Sequence, residues 1–410
     1  MAHNIAPHQS NRVLSIDALR GFIIFTMIFV NDLAIIRGEV IPNWMVHFSD
    51  RMKGSGMTFV DLVFPAFIFI IGMSIPFSIR AQEQQGKDLI QIIGHILTRT
   101  LSLLLLGIIM VNGWPSTELM GWSAPLWQTL MGICAICFLC EYSNGTKKRI
   151  LLTNILHIIG FTGLIILAAL FVGKQGNAIL TLFPFRIYPR WWGILGLLGW
   201  AYFISSVLYL CFHNHRTALL GCMTLLMSLF PAVKSGVLHN MWLINIDSTL
   251  GTQPAIAISG ILLSTILMTP NTTTPTQRIR FTLLYIAAMM MGAYLLQGLY
   301  GISKNQATPS WALWSCAIIA SFWLLFYILG DVFSRNNLIR PLITAGNNVL
   351  LAYFLSAIYF SFFILVGLGD WYRYFGETDL AHAVFRAMMI SFAILYLTTR
   401  LNKWGFRVKL

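Results

Sequence analysis

Apolar runs of roughly twenty residues recur from one end of this 410-residue chain to the other. Their abundance leaves the chain 57% hydrophobic and only 10% charged, with a mean hydropathy of +0.74. A soluble domain carries about 25% charged residues. Because the deficit extends over the whole chain, the sequence predicts a polytopic membrane protein. The net charge of +13 would suggest nucleic-acid binding in a soluble protein. Here the charges fall in short connections, and we expect them to orient the chain and contact anionic lipids.

The runs predict an all-α membrane bundle of about 12 spanning helices, or 10 if the seventh and eighth are re-entrant. Lys and Arg are more frequent in one alternating set of connections, which predicts that both termini are cytoplasmic. The chain is expected to form a single integral membrane domain over residues 1–410, with a polar tail at 1–15 that is too hydrophilic for a signal peptide. The predicted spans are Ile16–Ile36, Met57–Ile79, Ile90–Asn112, Pro125–Glu141, Ile150–Val172, Trp191–Phe212, Thr217–Val233, Gln253–Met268, Ile279–Tyr300, Pro309–Leu329, Leu342–Gly367 and Leu380–Leu401.

The first outer connection combines a titratable side chain with a carboxylate at a helix start. His47 precedes a glycine-broken loop, and the segment Thr58-Phe59-Val60-Asp61 then leads into an apolar run. The Thr-x-x-Asp spacing is typical of a capping box, which explains Asp61 without any chemistry. The same carboxylate could also hold one nitrogen of His47 and set its tautomer. Both interpretations stay open.

Polar residues inside spans are costly and therefore indicate function by default. Arg20 can pair with Asp17 on the first helix or bind an anionic ligand, and Asn31 near its far end can orient a substrate or bond a neighbouring helix. Arg99 has no neutralising neighbour in sequence. It must pair with a distant carboxylate or grip an anion such as a phosphate.

Two later segments carry candidate substrate-binding residues. In "GISKNQATPSW", Lys304 could hydrogen-bond a sugar and Trp311 could stack on it. In "TAGNNVLLAY", Asn347 and Asn348 enter a span, where bonding between helices is an equally good explanation. No group of residues has credible metal-ligand spacing, and no metal is expected.

Five segments in order resemble one family. They are "LSIDALRGFIIFTMIFVND", the stretch from His47 through "GMTFVDLVFPAFIFIIGMSIPFSI", "TRTLSLLLLGI", "KNQATPSW" and "GNNVLLAY". Together they are similar to transmembrane acyltransferases related to heparan-α-glucosaminide N-acetyltransferase, more closely in the bacterial DUF5009-type branch. In that family the histidine lies nearer the "DLVFP" motif than His47 does, so the alignment needs an insertion in "SDRMKGSG".

The resemblance implies transfer of an acetyl group from cytoplasmic acetyl-CoA, as co-substrate, to the amino group of a glucosamine at the non-cytoplasmic face. It implies that residues 16–112 carry the active site, with His47 as catalytic residue, Asn31 beside it and Arg99 binding phosphates. We add Asp61 as the partner of His47 and Arg20 as a second phosphate ligand. The expected location is a bacterial inner membrane, with amino sugar or glycan, acetyl-CoA and lipids as partners, no nucleic acid, and a homodimer left open.

Two other functions stay open. Twelve helices with both ends inside are also typical of secondary transporters, here of a sugar or amino sugar, in which His47 or Asp61 would carry protons. Against this, no internal repeat is evident. An O-acyltransferase acting on a cell-surface glycan would use the same residues on a hydroxyl group.

Overall fold

The computed structural model describes residues 13–36, 40–48, 52–142, 147–183, 185–267 and 274–409, with the side chains of Phe185, Asn336 and Leu338 excluded. The polar tail predicted at 1–15 lies outside the described residues as far as residue 12, as does part of the loop after His47. The α-helices are α1 (Leu14–Leu33), α2 (Val63–Gln84), α3 (Leu89–Val111), α4 (Thr117–Met120), α5 (Ala124–Leu139), α6 (Lys147–Leu170), α7 (Gly193–Phe212), α8 (Arg216–Lys234), α9 (Gln253–Leu267), α10 (Pro275–Tyr300), α11 (Pro309–Phe326), α12 (Asn336–Ala345), α13 (Val349–Leu365), α14 (Gly369–Glu377) and α15 (Leu380–Lys403).

Short elements extend or connect these helices. Single 3₁₀ turns cover Asn43–Met45, Phe59–Leu62 and Gly346–Asn348, and π-helical turns cover Ile246–Thr252 and Tyr327–Val332. The strands are β1 (Cys140–Tyr142), β2 (Leu180–Leu182), β3 (Phe185–Ile187) and β4 (Phe406–Val408). They form two antiparallel pairs, β1 with β4 and β2 with β3.

The predicted bundle is confirmed. In the described part of the chain, 11 helices are long and apolar enough to cross a membrane, and α5 is a shorter apolar helix of 16 residues. Each of the twelve predicted spans coincides with one of them. The seventh and eighth, which the sequence left open, correspond to Arg216–Lys234 and Ile246–Leu267, with 19 and 22 residues. The π-helical turn Ile246–Thr252 adds 7 residues to the eighth span, whose apolar run in the sequence is short for crossing a membrane.

Contacts between connections divide the molecule into two faces. Strand β1 follows the fourth span and pairs with β4 after the twelfth. The backbone nitrogen of Ser15, at the start of the first span, donates to Asp331 at the end of the tenth (3.2 Å). On the other side, Gly56 after the first span donates to Ile302 after the ninth (2.9 Å). The start of the first span and the connections after the fourth, tenth and twelfth spans alternate with the connections after the first and ninth. The contacts agree with this alternation, so both described ends lie on one face, here called the inner face. His47 lies on the opposite, outer face.

Helix α9 forms the centre of the bundle. Almost every one of its side chains is buried, as expected for a helix that is apolar all round. Small residues let it approach α2 closely, because a methyl group at Gly72 would overlap the backbone of Ala257 and one at Gly260 would overlap that of Phe69. Close backbone approach at small residues is the usual way in which membrane helices associate. The contact fixes α2, whose outer end carries Asp61.

Candidate active site

A capped helix start holds Asp61 in place. Thr58 precedes the 3₁₀ turn that leads into α2, and the predicted capping box is present. The Oδ2 atom of Asp61 accepts hydrogen bonds from the backbone nitrogens of Thr58 (3.0 Å) and Phe48 (3.1 Å). Asp61 is only 1% exposed, so these donors replace the water that a carboxylate would otherwise require. One oxygen is thereby committed to the backbone and the other is free for a side chain.

His47 uses that second oxygen. Its Nδ1 atom lies 2.8 Å from Oδ1 of Asp61, although 14 positions separate the two residues. A carboxylate only accepts hydrogen bonds, so Nδ1 carries a proton and donates it, and Nε2 is the free acceptor of the neutral ring. The imidazole side chain is 36% exposed while the carboxylate is 2% exposed. The arrangement orients a base whose lone pair is accessible, and both interpretations of Asp61, as cap and as partner of His47, hold together.

A second outer loop brings a lysine to the same place. The segment after α10 docks on the loop before α2, because Ile302 donates to Ser55 Oγ (2.6 Å) in addition to accepting from Gly56. Lys304 Nζ then lies 3.4 Å from Nε2 of His47 and 3.1 Å from its Nδ1. An ammonium group only donates, and Nδ1 already carries a proton, so Nε2 is the atom that can accept from it.

The three side chains of His47, Asp61 and Lys304 form a compact group, called here the His47 triad. Lys304 Nζ lies 3.8 Å from Oδ1 of Asp61, so its charge is balanced by the buried carboxylate. The sequence assigned Lys304 to substrate binding, and the structure brings it directly to the imidazole.

Asn31, the expected neighbour of His47, is exposed at the outer end of α1. Within the described part of the chain, no hydrogen bond joins it to the His47 triad. Its neighbour Asp32 is completely buried instead. The role of Asn31 stays a prediction.

Asp32 belongs to a second polar group, called here the Asp32 cluster. Its Oδ2 accepts from Arg386 Nε (2.9 Å), and its Oδ1 accepts from the hydroxyl groups of Tyr359 and Tyr372 (2.5 Å each). The remaining guanidinium nitrogens donate to the carbonyls of Asp32 and Tyr372 (2.9 Å each). Arg386 is 4% exposed and its guanidinium carbon lies 4.5 Å from the centre of the Tyr372 ring. The cluster ties the outer ends of α1, α13, α14 and α15 together.

The two arginines expected to bind phosphate occupy different settings. Arg20, near the inner end of α1, bonds Asp17 (2.8 Å) and Ser74 (3.1 Å). Arg99 lies within α3, with its guanidinium 4.7 Å from the centre of the Tyr202 ring. Its Nε is buried without a hydrogen-bond partner, and no carboxylate among the described residues neutralises it. Of the two alternatives for Arg99, the distant carboxylate is therefore not found in the described part of the structure.

Two expected substrate ligands have structural roles. Trp311 is completely buried, so its ring does not lie at the surface, and its stacking on a sugar stays a prediction. Its backbone nitrogen donates to Thr308, the cap of α11. Asn348 is 3% exposed and lies towards the inner face, where it donates to the Phe406 carbonyl (3.2 Å) and accepts from the Val408 nitrogen (3.1 Å). Its amide fastens β4, and substrate binding at Asn348 stays a prediction. Asn347 is half-buried in the same turn, which lies towards the inner face and not at the outer loops that carry the His47 triad.

The Asp32 cluster is not among the groups that the sequence pattern singles out. Arg386 lies inside α15, six residues after its start. An acidic and a basic residue, each within a predicted span and each near the outer face, were the signal that could have found this pair. The two tyrosines gave no signal, because tyrosine is common at membrane interfaces for other reasons.

Comparison with known proteins places the chain among related sequences. The family model described as "Domain of unknown function (DUF5009)" matches residues 12–269. Heparan-alpha-glucosaminide N-acetyltransferase of Mus musculus is 32% identical over 104 residues, and that of Homo sapiens is 34% identical over 101 residues. Each match covers 25% of this chain and 14% of the relative.

Proposed function

The chain belongs to the DUF5009 family, and from this premise and the His47 triad we propose that it is a transmembrane acetyltransferase. It moves an acetyl group from cytoplasmic acetyl-CoA to the amino group of a glucosamine-type sugar at the outer face of a bacterial inner membrane. The single observation that carries the proposal is the bond between His47 Nδ1 and the buried Asp61. It leaves Nε2 as an oriented proton acceptor on the outer face. The partial similarity to an N-acetyltransferase supports the reaction class.

The proposed reaction needs a base and a stabiliser of negative charge. The sugar nitrogen attacks the thioester carbonyl carbon while Nε2 of His47 takes a proton from that nitrogen. The tetrahedral intermediate then collapses, the carbon–sulfur bond breaks, and the CoA thiolate takes the proton from Nε2. Asp61 stays ionised throughout and stabilises the imidazolium that forms between the two steps. An acetyl-His47 intermediate is a variant of the same chemistry.

Lys304 has two successive roles in this scheme. Its ammonium lies 3.4 Å from Nε2, and the incoming sugar amine displaces it from there. The flexible lysine stem allows this movement. The displaced ammonium then lies beside the reacting centre, where it stabilises the oxyanion of the tetrahedral intermediate. Asn31 is the second candidate for that task.

Binding of acetyl-CoA is assigned to Arg20 and Arg99. The buried Nε of Arg99 has no hydrogen-bond partner, and this favours an anionic ligand, since a buried donor left unpaired is costly. Arg20 lies nearer the inner face, from which CoA would enter. The two arginines would hold phosphates while the thioester extends to the outer face.

The proposal is tested with purified protein reconstituted in lipid, radiolabelled acetyl-CoA and glucosamine. We expect N-acetylglucosamine to form, and His47→Ala to abolish its formation while the variant still folds. The matched control is His239→Ala, a histidine exposed in another outer connection, which should keep the wild-type rate. Acetylation that survives His47→Ala would contradict the assignment. Counterflow of glucosamine in liposomes without acetyl-CoA would favour a transporter, and acetylation of a hydroxyl group would favour an O-acyltransferase.

A further inference from the structure

An apolar groove lies inside the bundle and ends beside the turn that carries Asp61. Helices α1, α2 and α11 form its walls, and the 3₁₀ turn before α2 forms its outer end. Its lining residues are Leu19, Phe22, Ile23, Thr26, Phe59, Leu62, Val63, Ala66, Ile318, Ile319 and Phe322.

The outer end of the groove lies at the turn that carries Asp61. Phe59 and Leu62 line it and flank Asp61 within the same 3₁₀ turn. From there the groove extends towards the middle of the bilayer along α1. The lining residues Leu19 to Thr26 span about 10 Å of that helix at 1.5 Å per residue. A ligand in the groove therefore has one end near the turn that carries Asp61 and the other deeper in the hydrocarbon region.

The lining offers no partner to a polar ligand. Thr26 is its one residue with a polar side chain, and its hydroxyl already donates to the Phe22 carbonyl (2.9 Å). The pantetheine arm of CoA contains two amide groups, which would lose their hydrogen bonds in such surroundings. A hydrocarbon chain has no such requirement, so the chemistry of the lining selects a chain over pantetheine.

A side opening connects the groove with the lipid. Phe322 is 38% exposed on the surface of the bundle, and its ring lies 5.1 Å from that of Phe22, between centroids. At the other end, Lys304 supplies a cation near the outer face, where the polar head group of a lipid would lie. Apolar lining, lipid access and a charged outer end match the three parts of an amphipathic molecule.

We propose that the groove binds the hydrocarbon chain of a membrane lipid whose head group carries the accepting amino sugar. The acceptor is then a glycolipid of the outer leaflet and not a free sugar. This inference rests on the proposed acetyltransferase function, and it specifies the class of acceptor. With the chain in the groove, the head-group amine is held beside Nε2 of His47, which converts binding energy into positioning.

The test compares methyl, butyl and hexyl glucosaminides as acceptors for the reconstituted protein. We expect kcat/KM to rise with chain length, by at most about fourfold for each methylene that becomes buried. Ala66 is buried in the lining, so Ala66→Leu and Ala66→Phe should fill the groove in two steps. Each step should lower the ratio of kcat/KM for the hexyl over the methyl compound towards one.

The matched control is Ala288→Phe, the same change on the exposed surface of α10. It should keep the wild-type ratio, and it corrects for partitioning of the longer acceptors into the bilayer. Gel filtration and thermal melting establish that each variant folds. An unchanged ratio in a folded Ala66→Phe protein would overturn the groove proposal while leaving the acetyltransferase intact.

A second readout does not depend on activity. A hexyl glucosaminide with a diazirine at the end of its chain is photolysed with the protein, and the labelled peptides are identified by mass spectrometry. We expect label on the groove segments 19–26 and 59–66, and its loss in Ala66→Phe but not in Ala288→Phe. If no acceptor is acetylated, the proposed function fails and labelling alone decides on the groove. Label spread evenly over the lipid-facing helices would refute the groove.

Discussion

Replacing Arg386 by methionine is expected to destabilise the outer half of the bundle. The substitution removes the charge and keeps a long side chain over the Tyr372 ring. It leaves the carboxylate of Asp32, which is 0% exposed, with two phenol donors and no cation. It also leaves the carbonyls of Asp32 and Tyr372 without the donors that Arg386 provides.

The size of the effect follows from burial. Removing one partner of a buried pair costs about 3–5 kcal/mol, because the other charge is left uncompensated. An exposed pair is worth about 0–1 kcal/mol. The chain offers a matched exposed pair in Lys409 and Glu141, joined at 2.7 Å with both side chains about half exposed (54% and 50%). Lys409→Met should therefore cost no more than about 1 kcal/mol.

The assay is unfolding in mixed micelles by titration with sodium dodecyl sulfate, followed by tryptophan fluorescence. The free energy of unfolding should fall by about 3 kcal/mol or more for Arg386→Met. Asp32→Asn together with Arg386→Met should cost less than the sum of the two single changes, with a coupling energy of about 1 kcal/mol or more. Equal small losses for Arg386→Met and Lys409→Met would refute the claim that burial of the pair decides its importance.

Three further changes test other parts of the structure. Gly72→Ala should destabilise the protein by about 1–3 kcal/mol, because the methyl group overlaps α9. Gly94→Ala is the control, because its Cβ would lie in open space. Equal melting temperatures of the two variants would contradict the close packing of α2 on α9. Asn348→Ala should release β4, seen as faster amide exchange at the C-terminal strand; unchanged protection would refute its structural role. Hydrogen bonds from the backbone and the imidazole of His382 lower the pKa of Asp379. The ionised carboxylate therefore stabilises the start of α15 at every pH above the ordinary pKa of 3.8. This stabilisation is lost as the pH falls through the lowered pKa. Asp379→Asn should therefore raise amide exchange there at pH 7 and converge with wild type in acid; a difference that persists in acid would contradict this sign.

Most of the fold could be predicted from the sequence, because the bilayer allows few alternatives. A run of about twenty apolar residues must form a helix that satisfies its own backbone. The twelve predicted spans and the shared face of both described ends agree with the structure for this reason. The π-helical start at Ile246–Thr252 could not be predicted, since its polar residues resemble a loop.

The candidate site could be predicted in part. A local pattern gave the capping box at Thr58, and from it the partnership of Asp61 with His47. The contact of Lys304 with the imidazole depends on the docking of two loops distant in sequence, which a single sequence does not encode visibly. The burial of Trp311 and the bonds of Asn348 to β4 could not be predicted, because the sequence shows that an aromatic or polar residue is present but not what surrounds its side chain.

The rate of acetyl transfer by four proteins tests the central claim most directly: wild type, His47→Ala, Asp61→Asn and the double variant. If His47 is the base, His47→Ala should lower kcat by about 10²-fold or more. Because Asp61 acts through His47, Asp61→Asn should lower kcat by itself, and the double variant should be no slower than His47→Ala. A folded His47→Ala protein that transfers acetyl groups at the wild-type rate would contradict the account.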